Sequence, residues 1–197
     1  MKRQISVFSI SILLLLSLPV YAGAPLDAVQ SNVNKVLEVL RDPKLKAASA
    51  KEIKKKMLLP IYERMFDGVE LSRRSLARHW NAMNAAQRQE FVPLFRKVLE
   101  KAYIDKILAY TDEKIVFDRE NMISGSQAEV QTRIVTSAKE VPITYRVILK
   151  GGDWKVYDVV IENVSLVLNY RTQFNDILAK NTVEYLLETL RKKVKGQ

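Results

Sequence analysis

The stretch that decides the fold is residues 153–178, DWKVYDVVIENVSLVLNYRTQFNDIL. Its first part alternates apolar and polar side chains, as a half-buried β-strand does. The alternation places four side chains on one face of this strand: Trp154, Val156, Asp158 and Val160. After a break at Glu162-Asn163, apolar residues recur at helical spacing, which predicts a helix over residues 165–180. We interpret the strand and the helix as the wall and the lid of an apolar cavity.

Upstream of this stretch, apolar periodicity predicts helices first and strands afterwards. The helices are expected over 25–41, over 44–65 with a bend at Pro60, after a cap at Asp67, and over 84–110 with a kink at Pro93. The strands are expected over 114–119, 128–136, 141–150 and 153–161, and a last short helix starts near Asn181. This order predicts one α+β domain, with a curved four-stranded antiparallel sheet covered by helices.

The two glycines at 151–152 predict a tight hairpin between the last two long strands. A two-residue turn fixes the pairing of the strands that it joins. The predicted cross-strand pairs are Leu149 with Trp154, Val147 with Val156, Tyr145 with Asp158, and Ile143 with Val160.

The N-terminus has the three parts of a secretory signal peptide. A basic pair precedes an uncharged apolar run over residues 5–20, and a small residue, Ala22, ends the segment. We predict cleavage after Ala22, which leaves residues 23–197 as a single exported domain. The alternative is an uncleaved anchor, but the run is short for a membrane-spanning helix.

The formal net charge is +10, and the predicted cleavage removes two basic residues and no acidic ones. A basic exported protein is suited to an acidic partner or an anionic membrane surface, whereas export disfavours nucleic acid. Lys51 and Lys54 to Lys56 form a basic run on the second helix. Such a run is ordinarily a solvated helix face, and the functional alternative is an electrostatic docking surface.

Several classes of site are excluded by composition. The chain has no cysteine and a single histidine, His79, so thiolate sites, disulfides, histidine metal sites and serine–histidine triads are not expected. Gly-rich phosphate loops and nucleophile elbows are also missing from the sequence. These observations predict neither a metal nor a cofactor.

Asp158 and Arg171 are the two charged residues that stand out in apolar surroundings. A carboxylate in an apolar cavity could act as a general base, as in ketosteroid-isomerase-like enzymes. The favoured interpretation is structural: Asp158 accepts hydrogen bonds and fixes the helix on the sheet. Arg171 has no carboxylate at neighbouring helical positions, so we predict a pair with Asp158 and, second, a contact with a ligand phosphate.

The sequence around these residues resembles the MlaC family, the toluene-tolerance-type periplasmic phospholipid-binding proteins. The matching segments are WKVYDV at 154–159, VSLV at 164–167 and NYRTQF at 169–174, with LARHW at 76–80, QRQEF at 87–91 and LF at 94–95. The resemblance covers nearly the whole predicted mature chain. Two departures are Ala77 and Asn163, which occupy positions where many members would have glycine.

The resemblance implies an NTF2-like cone that holds acyl chains in an apolar pocket, with phospholipid as cargo and no catalysis. It also implies two membrane partners, an outer-membrane lipoprotein–porin complex and an inner-membrane ABC transporter with an MCE-type ring, in a system that maintains outer-membrane lipid asymmetry. We expect the pocket to be lined by sheet residues and helix residues: Tyr145, Val147, Val156, Val160, Phe91, Phe95, Leu99, Tyr103, Leu166, Tyr170 and Phe174. Asp158 and Arg171 are expected as its polar pair or head-group contacts. The alternatives are an enzyme with Asp158 as general base and a ligand-free structural adaptor.

Overall fold

The computed structural model describes residues 24–110 and 113–196, so the predicted signal peptide, residues 1–22, lies outside the described residues. The helices are α1 (Pro25–Arg41), α2 (Lys51–Met65), α3 (Gly68–Leu76), α4 (Arg78–Ala82), α5 (Ala85–Leu108), α6 (Leu166–Leu178) and α7 (Val183–Lys195). The strands are β1 (Lys114–Ser124), β2 (Gln127–Val135), β3 (Glu140–Lys150), β4 (Asp153–Ile161) and β5 (Val164–Ser165).

The strands form one antiparallel sheet in chain order, β1-β2-β3-β4-β5. The sheet is curved and unclosed and is covered by helices, which confirms the predicted α+β fold. The difference from the predicted four strands is the two-residue β5. It forms because Glu162 and Asn163 both adopt positive φ, 46° and 66°, and so turn the chain back onto the end of β4.

Helix caps account for most of the element boundaries. Asp67 accepts a hydrogen bond from the backbone N–H of Glu70, and Asn84 forms a capping box with Gln87, as predicted. Ser165 caps α6 by accepting from the backbone N–H of Leu168. These side chains satisfy N–H groups that the first turn of a helix leaves without an intrahelical partner.

Two predicted boundaries are corrected. The helix predicted over 44–65 begins only at Lys51 and is preceded by 3₁₀ turns at Pro43–Leu45 and Ala48–Ala50, where Asp42 caps the first turn. The last helix is capped by Thr182 rather than by Asn181, since the Thr182 hydroxyl accepts from the backbone of Tyr185.

A β-bulge changes the register of the β3–β4 hairpin. Leu149 faces Trp154 and Val147 faces Val156, as predicted. Tyr157 then has no partner on β3, and the next pairs are Arg146 with Asp158, Tyr145 with Val159, and Ile143 with Ile161. The two predicted pairs beyond the bulge, Tyr145 with Asp158 and Ile143 with Val160, are therefore wrong. The extra residue also reverses which face the following side chains occupy, so Asp158 leaves the face of Trp154 and Val156.

The apolar residues form separate clusters on the two sides of this arrangement. On one side, α1 crosses β1, β2 and β4. On the other, α3 to α7 pack on one another, with α6 and α3 also contacting β4. A third cluster joins the end of α1, the 3₁₀ turns and α2 through Val39, Leu40, Leu45 and Leu58. The apolar layer between the sheet and α1 is therefore distinct from the apolar layer that α3 to α7 form.

Ala77, between α3 and α4, has φ 49° and ψ −121°. This region is open to glycine but strained for a residue with a Cβ, at a cost of about 1–3 kcal/mol. Glycine loses about 0.5–1 kcal/mol more backbone entropy on folding than alanine does. The release of strain should therefore exceed the entropic cost.

We expect Ala77→Gly to raise the free energy of unfolding by about 1 kcal/mol, measured by urea denaturation. Asn163→Gly is the matched comparison. It should change stability by less than about 0.5 kcal/mol, because asparagine tolerates the left-handed conformation. An unchanged or lower stability of Ala77→Gly would show that position 77 is not strained.

Candidate functional site

The first candidate site is the apolar layer between the sheet and α1, which we call the sheet–α1 interior. Its buried members are Val29, Val33, Leu37, Met65, Ala128, Val130, Ile143, Val147, Trp154, Val156 and Val159. The sheet contributes mainly small aliphatic side chains, and Ala128, Val130 and Val147 are 0% exposed. The layer is closed by direct contact between α1 and the sheet, so it could receive an apolar guest only if the two separate.

Two polar atoms are buried in or beside this layer without a hydrogen-bond partner among the described residues. They are Nε1 of Trp154, within the sheet–α1 interior, and Oδ1 of Asn32 on α1. The Asn32 amide is only half satisfied, because its Nδ2 donates to the carbonyl of Ala28 at 2.8 Å. Unpartnered buried groups cost free energy and are uncommon in native proteins, so each calls for an explanation.

Tyr145 borders the same interior from β3 and is partly buried. Burial raises the pKa of Tyr145 to about 12, because ionisation would create an anion in apolar surroundings. Its phenol therefore stays protonated at neutral pH and keeps an O–H donor at the border of the layer.

Sequence reasoning missed Asn32 and gave Trp154 no site role. A signal for Asn32 existed in the helical spacing, since it lies three residues after Val29 and four before Val36 on the apolar side of α1. No sequence signal reveals that its carbonyl oxygen lacks a partner, because that depends on tertiary contacts.

The second apolar layer, which we call the helical cluster, is a dense aromatic core. The rings of Phe91, Phe95, Tyr170 and Phe174 have centroids 4.9–5.7 Å apart in edge-to-face and tilted contacts. Such geometry maximises ring–ring attraction in a packed core. Leu186, Leu187 and Leu190 of α7 close the cluster from another side. The large interlocked rings leave this layer less able to open than one lined by valine and alanine.

The residues expected to line one pocket are divided between these two layers. Phe91, Phe95, Leu99, Tyr103, Tyr170 and Phe174 belong to the helical cluster. Tyr145, Val147, Val156 and Leu166 belong to the sheet–α1 interior. Val160 belongs to neither and pairs with Thr144 and Ser165. Phe66, at the α2–α3 junction, contacts both layers and is the side chain that links them.

Asp158 joins the sheet to the start of α6. It is 2% exposed, and both of its oxygens accept hydrogen bonds. Oδ1 accepts from the backbone N–H of Val167 at 3.0 Å, and Oδ2 accepts from the Ser165 hydroxyl at 2.7 Å and from Arg146 Nη1 at 3.2 Å. This geometry matches the favoured structural role, since neither carboxylate oxygen is free to act on a substrate.

The predicted pair between Asp158 and Arg171 is wrong. The bulge turns Asp158 toward Arg146, and the Nε of Arg171 instead donates to the backbone carbonyl of Arg74 at 3.0 Å. Arg171 thus connects α6 to α3. The sequence did not predict this contact, because the alternation of apolar and polar residues indicates a regular strand without a bulge.

Asp158 belongs to a network of charged side chains on the face of β3 and β4 that points away from α1. Arg146 also pairs with Glu129 at 2.9 Å. Partial burial lowers the pKa of Arg146, but the bonds to Glu129 and Asp158 outweigh it and raise the pKa above its usual value. Beside this network the guanidinium of Arg74 lies 3.9 Å from the centre of the Tyr157 ring. These contacts hold the bulged part of β4 against α3.

Among the described residues, no group of three or more histidine, cysteine, aspartate or glutamate side chains could hold a metal ion. The helices at 24–110 and 113–196 include none that is both long and apolar enough to cross a bilayer.

Comparison with known proteins adds a family. A family model described as MlaC protein matches residues 30–192. The chain is 26% identical over 187 residues to the toluene tolerance protein ttg2D of Pseudomonas putida, which covers 90% of this chain and 86% of that protein. It is 25% identical over 121 residues to the intermembrane phospholipid transport system binding protein MlaC of Haemophilus influenzae, which covers 59% of this chain and 56% of that protein.

The fold is also similar to a solved structure. The phospholipid-binding protein of Ralstonia solanacearum, determined in complex with a phospholipid, matches with a TM-score of 0.81 and 20% identity. The match covers 88% of this chain and 98% of that protein. At this identity the likeness establishes the fold.

The Asp158 contacts predict a large loss of stability on truncation. Asp158→Ala removes an acceptor from the N-terminus of α6 and leaves the Ser165 hydroxyl unsatisfied, so the free energy of unfolding should fall by about 3 kcal/mol in urea denaturation. Asp153→Ala on the same strand is the matched control, because its carboxylate is exposed, and should change stability by less than about 0.5 kcal/mol. Equal effects of the two variants would contradict the anchoring role.

Proposed function

The chain belongs to the MlaC family, and we propose that it is an exported periplasmic carrier that holds phospholipid acyl chains in the sheet–α1 interior. The observation that carries the choice of this layer is its lining of small aliphatic side chains together with the unpartnered Nε1 of Trp154. Acyl chains need non-directional apolar contact, whereas a lipid's ester and glycerol oxygens could accept from an indole N–H.

The energetics of lipid transfer support a carrier with a closing interior. A diacyl phospholipid has about thirty methylene groups, and exposing them to water would cost on the order of 24 kcal/mol at about 0.8 kcal/mol each. A lipid therefore does not cross an aqueous compartment alone at a useful rate. A protein that covers the acyl chains and leaves the polar head in water removes most of this cost.

The helical cluster is the less suitable site because its rings already satisfy one another. Opening it would break several aromatic contacts, each worth about 0.5–1.5 kcal/mol beyond its apolar area. We therefore assign Tyr145, Val147, Val156 and Leu166 to lipid contact. Six more of the expected residues, Phe91, Phe95, Leu99, Tyr103, Tyr170 and Phe174, are assigned to the rigid core that supports the site. Val160, which belongs to neither layer, is not assigned to lipid contact.

The element that moves should be α1, because α6 is fixed at its start by Asp158. α1 has polar ties near its two ends. The backbone N–H of Leu26 donates to Glu120 at 2.7 Å, and Arg41 donates to the Tyr110 hydroxyl at 2.6 Å. Between these ties its contacts are apolar and can be exchanged for contacts with acyl chains. Separation of the N-terminal half of α1 from the sheet would open the interior.

Two membrane systems would load and unload such a carrier. We propose an inner-membrane ABC transporter with an MCE-type ring and an outer-membrane lipoprotein–porin complex. The proposal rests on family membership and on the predicted signal peptide.

The first test is native mass spectrometry of mature protein purified from the periplasm without detergent. We expect co-purifying diacyl phospholipid in near-stoichiometric amount. Val147→Phe should displace it by filling the sheet–α1 interior. Val98→Phe is the matched control, since it adds the same volume to the helical cluster at a similar cost of about 1–3 kcal/mol. A lipid-free wild type would overturn the proposed function, and lipid loss only in Val98→Phe would move the site to the helical cluster.

The second test concerns the moving element. The chain has no native cysteine, so Leu26→Cys with Glu120→Cys can be joined selectively by a short bismaleimide. Cross-linked protein should exchange lipid with vesicles at least about tenfold more slowly than the same protein without linker. Lys101→Cys with Lys193→Cys, which ties α5 to α7 where Lys101 contacts the backbone of Lys193, is the control. Unchanged exchange after linking α1 to β1 would rule out α1 as the gate.

A further inference from the structure

The outer face of α2 exposes an apolar line. Ile53 and Met57 are 52% and 43% exposed, and Pro60 is also exposed. Positions 53, 57 and 60 are spaced as i, i+4 and i+7, so they lie on one side of the helix. α2 buries only Leu58 and Met65 on its opposite side. This helix thus directs large apolar side chains into solvent while its inner side holds it to the protein.

Lysines flank this apolar line. From the helical positions, Lys54 lies on one flank and Lys56 on the other. Neither makes an ion pair with any described residue, whereas Lys51 pairs with Asp105 and Lys55 with Glu52. Glu63 lies seven residues after Lys56 and so follows it along the same flank of the helix. The outer face is therefore apolar at its centre, with a lysine on each flank.

An open cleft adjoins the start of α2. Its volume is about 370 Å³, and its lining combines three lysines and one aspartate, Asp105, with apolar side chains. Asp105 pairs with Lys51, so Lys46 and Lys54 are the lining lysines that remain available. The lining residues are Lys46, Ala47, Lys51, Lys54, Asp105, Leu108 and Ala109. Because Lys54 belongs to both the cleft and the edge of the apolar line, the two features are continuous.

This combination fits the surface of an anionic bilayer. Helices that lie in the membrane interface bury apolar side chains by a few ångströms and place lysines where they meet anionic lipid head groups. Long lysine side chains reach outward from beside the apolar line and keep their charge in water. The lysines that line the cleft could contact a head-group phosphate.

We propose that the α2 surface, defined by Lys46, Ile53, Lys54, Lys56 and Met57, docks the protein on anionic phospholipid bilayers. Docking adds membrane recognition to lipid carriage and does not require that the sheet–α1 interior be the lipid site. A surface that rests on the bilayer would bring the carrier to lipid before any protein partner is engaged.

The test is flotation of the full-length mature protein with vesicles of phosphatidylcholine alone or with one-third phosphatidylglycerol. Wild type should float with the anionic vesicles at low ionic strength and detach as salt is raised. Lys54→Gln with Lys56→Gln should weaken binding about 30-fold, at about 1 kcal/mol for each lysine. Ile53→Ser with Met57→Ser should weaken it at least about tenfold.

Matched controls remove the same groups elsewhere. Lys192→Gln with Lys193→Gln on α7 makes the same change in net charge, and Met122→Ser with Ile123→Ser removes exposed apolar side chains from β1. Both should retain binding within about twofold. No flotation of wild type, or equal loss in the α7 and α2 charge variants, would overturn the proposal. Lipid content by native mass spectrometry should stay unchanged in the α2 variants, so failure here leaves the proposed function standing.

Discussion

The buried carboxylate of Asp158 is the interaction on which the arrangement of sheet and helices depends. It accepts hydrogen bonds from the Ser165 hydroxyl and from the backbone N–H of Val167, in the first turn of α6, at the point where the chain leaves the sheet. Arg146 neutralises it from the next strand. The β-bulge at Tyr157 makes this possible, because without the extra residue the carboxylate would face the apolar layer under α1.

One consequence is that the protein has two apolar layers of different character. Asp158, Arg171 and the aromatic contacts hold α6 against β4, α3 and α5, so the helical layer behaves as a fixed body. In the part of the chain that the structure describes, the polar contacts of α1 with the rest of the protein lie near its two ends, at Leu26 and Arg41, and the layer between them relies on apolar contact. The carrier function proposed above would use this division, because cargo would exchange with one layer while the other keeps the fold intact.

Local signals in the sequence account for the elements, and long-range contacts account for what could not be predicted. The helix caps at Asp67 and Asn84 and the first pairs of the β3–β4 hairpin follow from nearby residues and were confirmed. The bulge has no local signature, since Tyr157 suits a regular strand as well as an irregular one. The predicted register placed Asp158 on the wrong face of β4, and the predicted pair between Asp158 and Arg171 was therefore wrong as well. Periodicity also could not divide the apolar residues between two layers, because it gives the face of each element and not its neighbour.

The same physical reasoning explains why polar motifs are scarce in this sequence. Affinity for acyl chains comes from area removed from water, which many combinations of valine, alanine and leucine supply equally. In the proposed carrier, selectivity for a lipid and its release would depend on two things. They are the few polar atoms that border the sheet–α1 interior and the free energy change when α1 packs back onto the sheet. Burial of Trp154 Nε1 and Asn32 Oδ1 without a hydrogen-bond partner among the described residues costs free energy in this arrangement. In the proposed carrier, a lipid oxygen that accepts from Trp154 would offset part of this cost and so add to the affinity for lipid.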